Sequence, residues 1–139
     1  MDRVEDCISF VIGKAAQQIS RRAREKLAAH GVTPMQYAVL KVLWQQDGQS
    51  GADLGARLVI DSATMTGLID RLEASGLLKR QADADDRRIQ RLFVTKQGRS
   101  LQKQLDAAMD QLNQEVARDL GEQAETFWNA LRQIGDNRG

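Results

Sequence analysis

After Gly76 the spacing of apolar residues changes from helical to strand-like, and that switch, with what precedes it, restricts the fold more than any other feature of the chain. Upstream, Met65, Leu68, Ile69 and Leu72 recur at helical spacing along one face of a segment from Ser62 to Ala74. Before that, Ser50 opens a shorter helix, with Asp53 as its capping partner and Leu54 and Leu58 turned inward; Val59 to Asp61 is a brief break. Downstream, Leu77 to Gln81 and Arg88 to Val94 read as two short strands. The loop between them, Ala82 to Arg87, takes its turn chemistry from Asp83, Asp85 and Asp86.

The flanking segments are helical. Thr33-Pro34-Met35-Gln36 is the best-marked helix start: Thr33 caps, Pro34 suits the first helical position, Gln36 completes a capping box, and Val32 and Tyr37 stand where a hydrophobic staple would join them. This helix is expected to bury Ala38, Leu40, Val42, Leu43 and Trp44 and to stop near Asp47-Gly48. Ahead of it, Val4, Ile8, Val11, Ala15, Ile19, Ala23 and Leu27 form one stripe of a long helix closed by Gly31. After the hairpin, Thr95 and Gly98 precede a long helix carrying Leu101, Leu105, Ala108, Met109, Leu112, Val116 and Leu120; Gly121 breaks it, and a last helix is expected to bury Ala124, Phe127, Trp128, Leu131 and Ile134. The order predicts a mostly α, α+β winged helix-turn-helix over residues 33–95, between dimerisation helices at 1–32 and 96–139. The terminal stripes carry more apolar surface than one small winged helix can cover, so pairing of two chains is expected.

A recognition helix packs one face on its supports while its N-terminal half offers small polar groups to base edges. Ser62, Ala63, Thr64 and Thr66 suit that task, since hydroxyls can donate or accept and Ala can meet a thymine methyl. Arg87, Arg88 and Arg91 in the hairpin, beside Lys79 and Arg80, offer a basic tip for a narrow minor groove, and Asp86 makes sense there if it aims an arginine through a charge-assisted hydrogen bond. Net charge is only +1, but nine basic residues face six acidic ones between Arg57 and Arg99, against four and seven from Ser100 onward. A basic middle with an acidic tail fits one face meeting phosphate.

Other classes fit poorly. His30 is the only histidine, no phosphate-cradling glycine loop with Lys and Ser/Thr is present, and carboxylates are scattered, so an enzyme is not expected. One histidine and one cysteine, Cys7, do not make a zinc site in a single chain with the usual ligand types, although carboxylates or a second subunit could contribute; neither metal nor cofactor is expected. The lone cysteine excludes an internal disulfide framework and points to a reducing cytoplasm; no apolar run approaches the ~20 residues of a bilayer span, and Met1 to Phe10 does not read as a signal peptide. A winged helix that binds only proteins would show a wing without arginines and a bulky recognition face, the reverse of this chain.

At these residues the chain resembles the MarR family of transcription regulators. Thr33-Pro34-Met35-Gln36-Tyr37 is similar to its second-helix start, Asp61 to Glu73 to its recognition helix, and Gly76-Leu77-Leu78-Lys79-Arg80 to the exit from that helix. Asp86-Arg87-Arg88 and Val94-Thr95-Lys96-Gln97-Gly98 are similar to its wing and return. The resemblance covers nearly the whole chain. It implies a homodimer with interdigitated first and last helices, reading palindromic double-stranded DNA and acting as a repressor. Ser62, Thr64 and Thr66 would touch bases or phosphates, Arg88 would enter the minor groove with Asp86 as its orienting partner, and Arg71 would hold the recognition helix or a phosphate. With Thr33, Gln36 and Ser50 at helix starts, and with Ala63 and Arg87, these are the candidate DNA contacts. Two departures stand out: Gly67 occupies a position where the family often has arginine, and Val94 replaces a frequent leucine. The resemblance further implies a small aromatic or phenolic effector between dimer helices and DNA-binding domain. Phe10, Tyr37, Leu40 and Trp44, with Ile12 and Val39, are the lining candidates, and Lys14, Arg21 or Arg24 would meet an acid group. The rival reading is oxidant sensing at Cys7, although in the family's peroxide-sensing branch the reactive cysteine would fall on Ser9, and that branch's activating tyrosines are reduced here to Tyr37.

Overall fold

The computed structural model describes residues 1–137; the last two residues of the 96–139 segment lie outside that description. After a short 3-10 turn at Val4–Asp6, the chain runs through α1 (Ile8–Leu27), α2 (Pro34–Gln45), β1 (Gln49–Ser50), α3 (Gly51–Leu58), α4 (Ser62–Ala74), β2 (Leu78–Ala82), β3 (Gln90–Val94), α5 (Lys96–Ser100), α6 (Gln102–Leu120) and α7 (Ala124–Asp136). The sheet is antiparallel in the order β1-β3-β2, with Lys79 opposite Phe93, Arg80 opposite Leu92 and Ser50 opposite Arg91. This is the winged helix-turn-helix expected, with a third strand added.

Local chemistry explains the boundaries. α1 tightens into a 3-10 turn at Ala28–His30 and ends at Gly31, whose φ of 68° a residue with a Cβ adopts only under strain. α2 opens with the full capping box: Thr33 Oγ1 accepts the Gln36 N–H at 3.2 Å, and Gln36 Oε1 accepts the Thr33 N–H at 3.1 Å. α3 repeats the device with Ser50 and Asp53. Between α3 and α4, Val59 itself sits in the left-handed region at φ 56°, exposed to solvent.

The core joins all parts. Leu40 and Leu43 of α2, Leu54 of α3, Leu72 of α4 and Leu92 of β3 are fully buried together with Leu27 of α1 and Leu105 of α6. The last turns of α1 and the start of α6 are thus built into the winged helix. Arg22 and Lys26 of α1 also reach Glu115 of α6 at 3.1 and 2.8 Å, and these two cations hold its carboxyl below the ordinary range.

Several expectations need correction. Arg88 lies in the hairpin loop, because β3 begins at Gln90, two residues later than the apolar pattern suggested. α6 is preceded by the separate short helix α5. On α2, Gln36 and Val39 are buried, while Ala38 and Trp44 are only half-buried. No residue of α7 is buried within one chain: Phe127 and Leu131 are about two-fifths exposed and Ile134 is 61% exposed. Only Ala23 and Leu27 of the α1 stripe are buried; Val4, Ile8, Val11 and Ile19 face solvent. The stripes run past the end of the core, and among the described residues they stay largely uncovered.

Candidate nucleic-acid interface

Met65, Leu68, Ile69 and Leu72 anchor α4 in the core and so fix which face turns outward. Asp61 caps the helix: Oδ1 accepts the Thr64 N–H and Oδ2 accepts the Thr64 hydroxyl, each at 2.8 Å. These two bonds hold the Asp61 carboxyl below the usual carboxylate range. Thr66 donates its hydroxyl to the Ser62 carbonyl at 2.9 Å. Both threonine hydroxyls therefore spend their protons inside the helix and keep only acceptor capacity. Ser62 and Ala63 are exposed in the first turn.

The wing is organised by Asp83. Its Oδ2 accepts the N–H groups of Asp85 and Asp86 at 3.0 and 2.9 Å, and its Oδ1 accepts Arg91 Nε at 2.6 Å. Arg91 Nη1 also donates to the Gly48 carbonyl at 3.1 Å, so this arginine braces the sheet rather than facing out. Arg80 likewise ties the hairpin to α4 through Asp70 and Glu73. Arg91 holds the Asp83 carboxyl down, and Arg88 does the same to Asp86.

Arg88 is different. Nε and Nη2 each donate to one Asp86 oxygen at 3.0 Å, a fork-to-fork pair, while its side chain stays 91% exposed. Arg87 is exposed and makes no side-chain hydrogen bond or ion pair among the described residues.

One groove is lined by Ser50, Thr66, Arg80 and Arg88, bringing the start of α3, α4 and the wing onto one face. A second, along α3 and α4, continues from it and reaches Ser62. Arg71 is exposed on another side of α4, beside Gly67. Thr33 and Gln36 do not join this face as free groups. Each caps the other; Gln36 is buried, while Thr33 stays exposed at the start of α2.

The effector candidates fall into two places. Phe10 and Lys14 line a shallow groove with Glu5, Val11, Ala15 and Gln18, all from the N-terminal segment. Tyr37 instead donates its hydroxyl to Asp106 Oδ1 at 2.7 Å, beside Lys41 Nζ at 2.9 Å on the same oxygen. Trp44 meets the Tyr37 ring edge-on and donates Nε1–H to the Gly98 carbonyl at 3.2 Å. Leu40 is fully buried, which removes it from any ligand surface in this conformation; Val39 is buried too. Sequence reading missed Lys41 and Asp106, since 65 residues separate them and neither interrupts a pattern. Burial, then the bond to Asp106 and its charge, push the Tyr37 phenol well above its ordinary range. Asp106 is lowered: burial opposes its ionisation, but the bonds from Tyr37 and Lys41 outweigh it.

Cys7 is half-buried just ahead of α1; the nearby Arg3 is paired with Asp6, and Tyr37 is occupied by Asp106. Among the described residues no cluster of three potential metal ligands occurs, and no helix is long and apolar enough to cross a membrane.

α4 and the arginine-bearing wing on one face, framed by long helices, define a winged helix-turn-helix fold. The family model for the MarR family matches residues 32–90. The chain is 42% identical over 99 residues to the HTH-type transcriptional regulator TtmR of Methylorubrum extorquens, a match covering 71% of this chain and 51% of TtmR, so it spans about half the length of that relative. A probable transcriptional regulator from Pseudomonas aeruginosa is 30% identical with a TM-score of 0.89, covering 95% of this chain and 99% of that one. BpsR of Bordetella bronchiseptica, whose DNA binding is regulated by 6-hydroxynicotinic acid, is 25% identical with a TM-score of 0.91 and 99% coverage of both chains. Residues 32–90 of the chain are a MarR-family domain.

Proposed function

We propose that the protein is a transcriptional repressor that binds a palindromic operator in double-stranded DNA as a homodimer and is released by a small aromatic acid. The observation that carries this reading is the wing: Arg88, exposed yet held by both oxygens of Asp86, shares a groove with Thr66 and Ser50. A guanidinium aimed in advance loses little freedom on entering a minor groove. Ser62, Ala63, Thr64 and Thr66 face bases or phosphates in the major groove, and Ser50 and Arg87 add backbone contacts.

Dimerisation accounts for the apolar surface left open. Ile8, Val11 and Ile19 of α1 and Phe127, Leu131 and Ile134 of α7 stay exposed in one chain, more than a monomer in water tolerates at little cost. Residues 1–32 and 96–139 pair two chains, and 33–95 read DNA at half-sites about one turn, roughly 34–36 Å, apart. Such a regulator works in the cytoplasm. For the effector, the groove beside Phe10 and Lys14 combines an apolar floor with a cation, a pairing suited to an aromatic carboxylate, and BpsR's response to 6-hydroxynicotinic acid supports that class. Differential binding worth about 1–3 kcal/mol would suffice to move the wings.

The test is selection of bound fragments from random duplex DNA, followed by titration across salt concentrations. A two-fold repeat and a steep salt dependence are expected. Absence of salt-sensitive binding to any duplex refutes the proposal. Repeating the selection with hydroxylated aromatic acids then tests release.

A further inference from the structure

The outward crest of α4 carries almost no side chain. Opposite the buried face stand Ala63, Gly67, Asp70 and Ala74, and Asp70 is turned to Arg80. Arg71 lies one turn beyond Gly67, and helical side chains lean back toward the N-terminus. Its guanidinium fills the space beside that glycine: a Cβ built on Gly67 would lie 3.4 Å from Nη1, 3.6 Å from Nη2 and 3.8 Å from Cζ. All three atoms stand next to the room that the missing side chain leaves. Both nearby carboxylates, Asp70 and Glu73, are taken by Arg80. Arg71 makes no side-chain hydrogen bond or ion pair among the described residues, so its donors remain available.

We propose that Arg71 is a specificity-determining residue that reads a guanine through the gap left at Gly67. The inference rests on the DNA-binding reading above. With glycine at the crest, the helix backbone can approach the groove floor closely and nothing stands between that floor and the guanidinium. Its planar fork matches O6 and N7 of guanine in a bidentate pair. The hydroxyls of Thr64 and Thr66, nearer the start of α4, have spent their protons within the helix. Arg71 is therefore the strong donor in the middle of this helix. A side chain longer than alanine at position 67 would occupy the same space and push the guanidinium aside.

The experiment is the random-duplex selection repeated with Arg71→Ala, Arg71→Lys and Gly67→Ala, with melting temperatures measured alongside. The wild type is expected to select guanine at one position in each half-site. Arg71→Ala loses that preference, discrimination there falling roughly ten-fold or more, while preferences elsewhere and the melting temperature stay unchanged. Arg71→Lys keeps the charge and the salt dependence but loses most of the discrimination. Gly67→Ala retains it, because a methyl at 3.4 Å is in ordinary contact with the guanidinium. Two results overturn the inference while leaving DNA binding intact: an unchanged site for Arg71→Ala, or a uniform loss across sequences with a shallower salt slope, which marks a phosphate contact. If the wild type binds no duplex, the functional reading fails first and this inference with it.

Discussion

Gly98→Ala places one methyl group where the junction of wing, α2 and α5 has no room for it. The new Cβ would lie 2.5 Å from the Leu77 carbonyl oxygen and 2.6 Å from Val94 Cγ1, the first a backbone atom that cannot rotate away. That carbonyl accepts the Thr95 N–H at 3.0 Å, and the Gly98 carbonyl accepts Trp44 Nε1–H at 3.2 Å, so relief by separation strains both bonds. Overpacking costs about 1–3 kcal/mol, and one weakened hydrogen bond adds about 1 kcal/mol. Alanine's better helix propensity offsets up to about 1 kcal/mol. The steric effect wins, leaving a net loss of about 1–4 kcal/mol. An unfolding entropy of roughly 2.1 cal/mol/K per residue over 139 residues turns this into a Tm drop of roughly 3–14 °C. Thermal melts followed by tryptophan fluorescence, at matched protein concentration because a dimer's Tm depends on it, measure the change. A Tm within about 2 °C of wild type would show that Leu77 and Val94 yield freely, and the account of this junction would be wrong.

Arg88→Ala should leave Tm unchanged, since its side chain is 91% exposed, while reducing the salt dependence of duplex binding by about one unit per wing; an unaltered slope removes the wing from the DNA contact. Tyr37 is the only tyrosine, so tyrosinate absorbance in the near ultraviolet reports one group. In the folded protein it should stay low past pH ~10, where an unfolded tyrosine ionises, and Asp106→Asn should bring the titration down. Because the folded phenol holds its proton more tightly, its stabilising contribution is complete below pH ~10 and is lost as pH rises through the raised value; alkaline urea titrations check the sign. Val59→Asn should raise stability by about 0.5–1 kcal/mol, because asparagine tolerates the left-handed φ of 56° better than a β-branched side chain; a lower urea midpoint would contradict it.

Short-range signals in the sequence carried most of the fold. The capping boxes at Thr33 and Ser50, the buried stripe of α4 and the glycine closing α1 each involve residues within one or two turns, so spacing alone exposes them. The same holds for the Asp86–Arg88 pair, two residues apart. What spacing cannot reveal is which distant group satisfies a given side chain. β1 is two residues long and has no period of its own; it exists because β3 offers it a ladder. Arg91 and Arg80 looked like free wing cations, yet Asp83, Gly48, Asp70 and Glu73 consume them, and Gln36 vanished into its own cap.

Amphipathic patterning, capping and turn chemistry are local and therefore written in the order of residues; they determined that the chain forms a winged helix-turn-helix with long apolar-striped helices at both ends. Only the tertiary structure decided which arginines stay free, that Tyr37 and Lys41 meet on Asp106, and that the outer parts of α1 and α7 stay uncovered in one chain. Hydrogen bonds and ion pairs form between whichever groups packing brings within about 3 Å, and packing is a property of the folded whole.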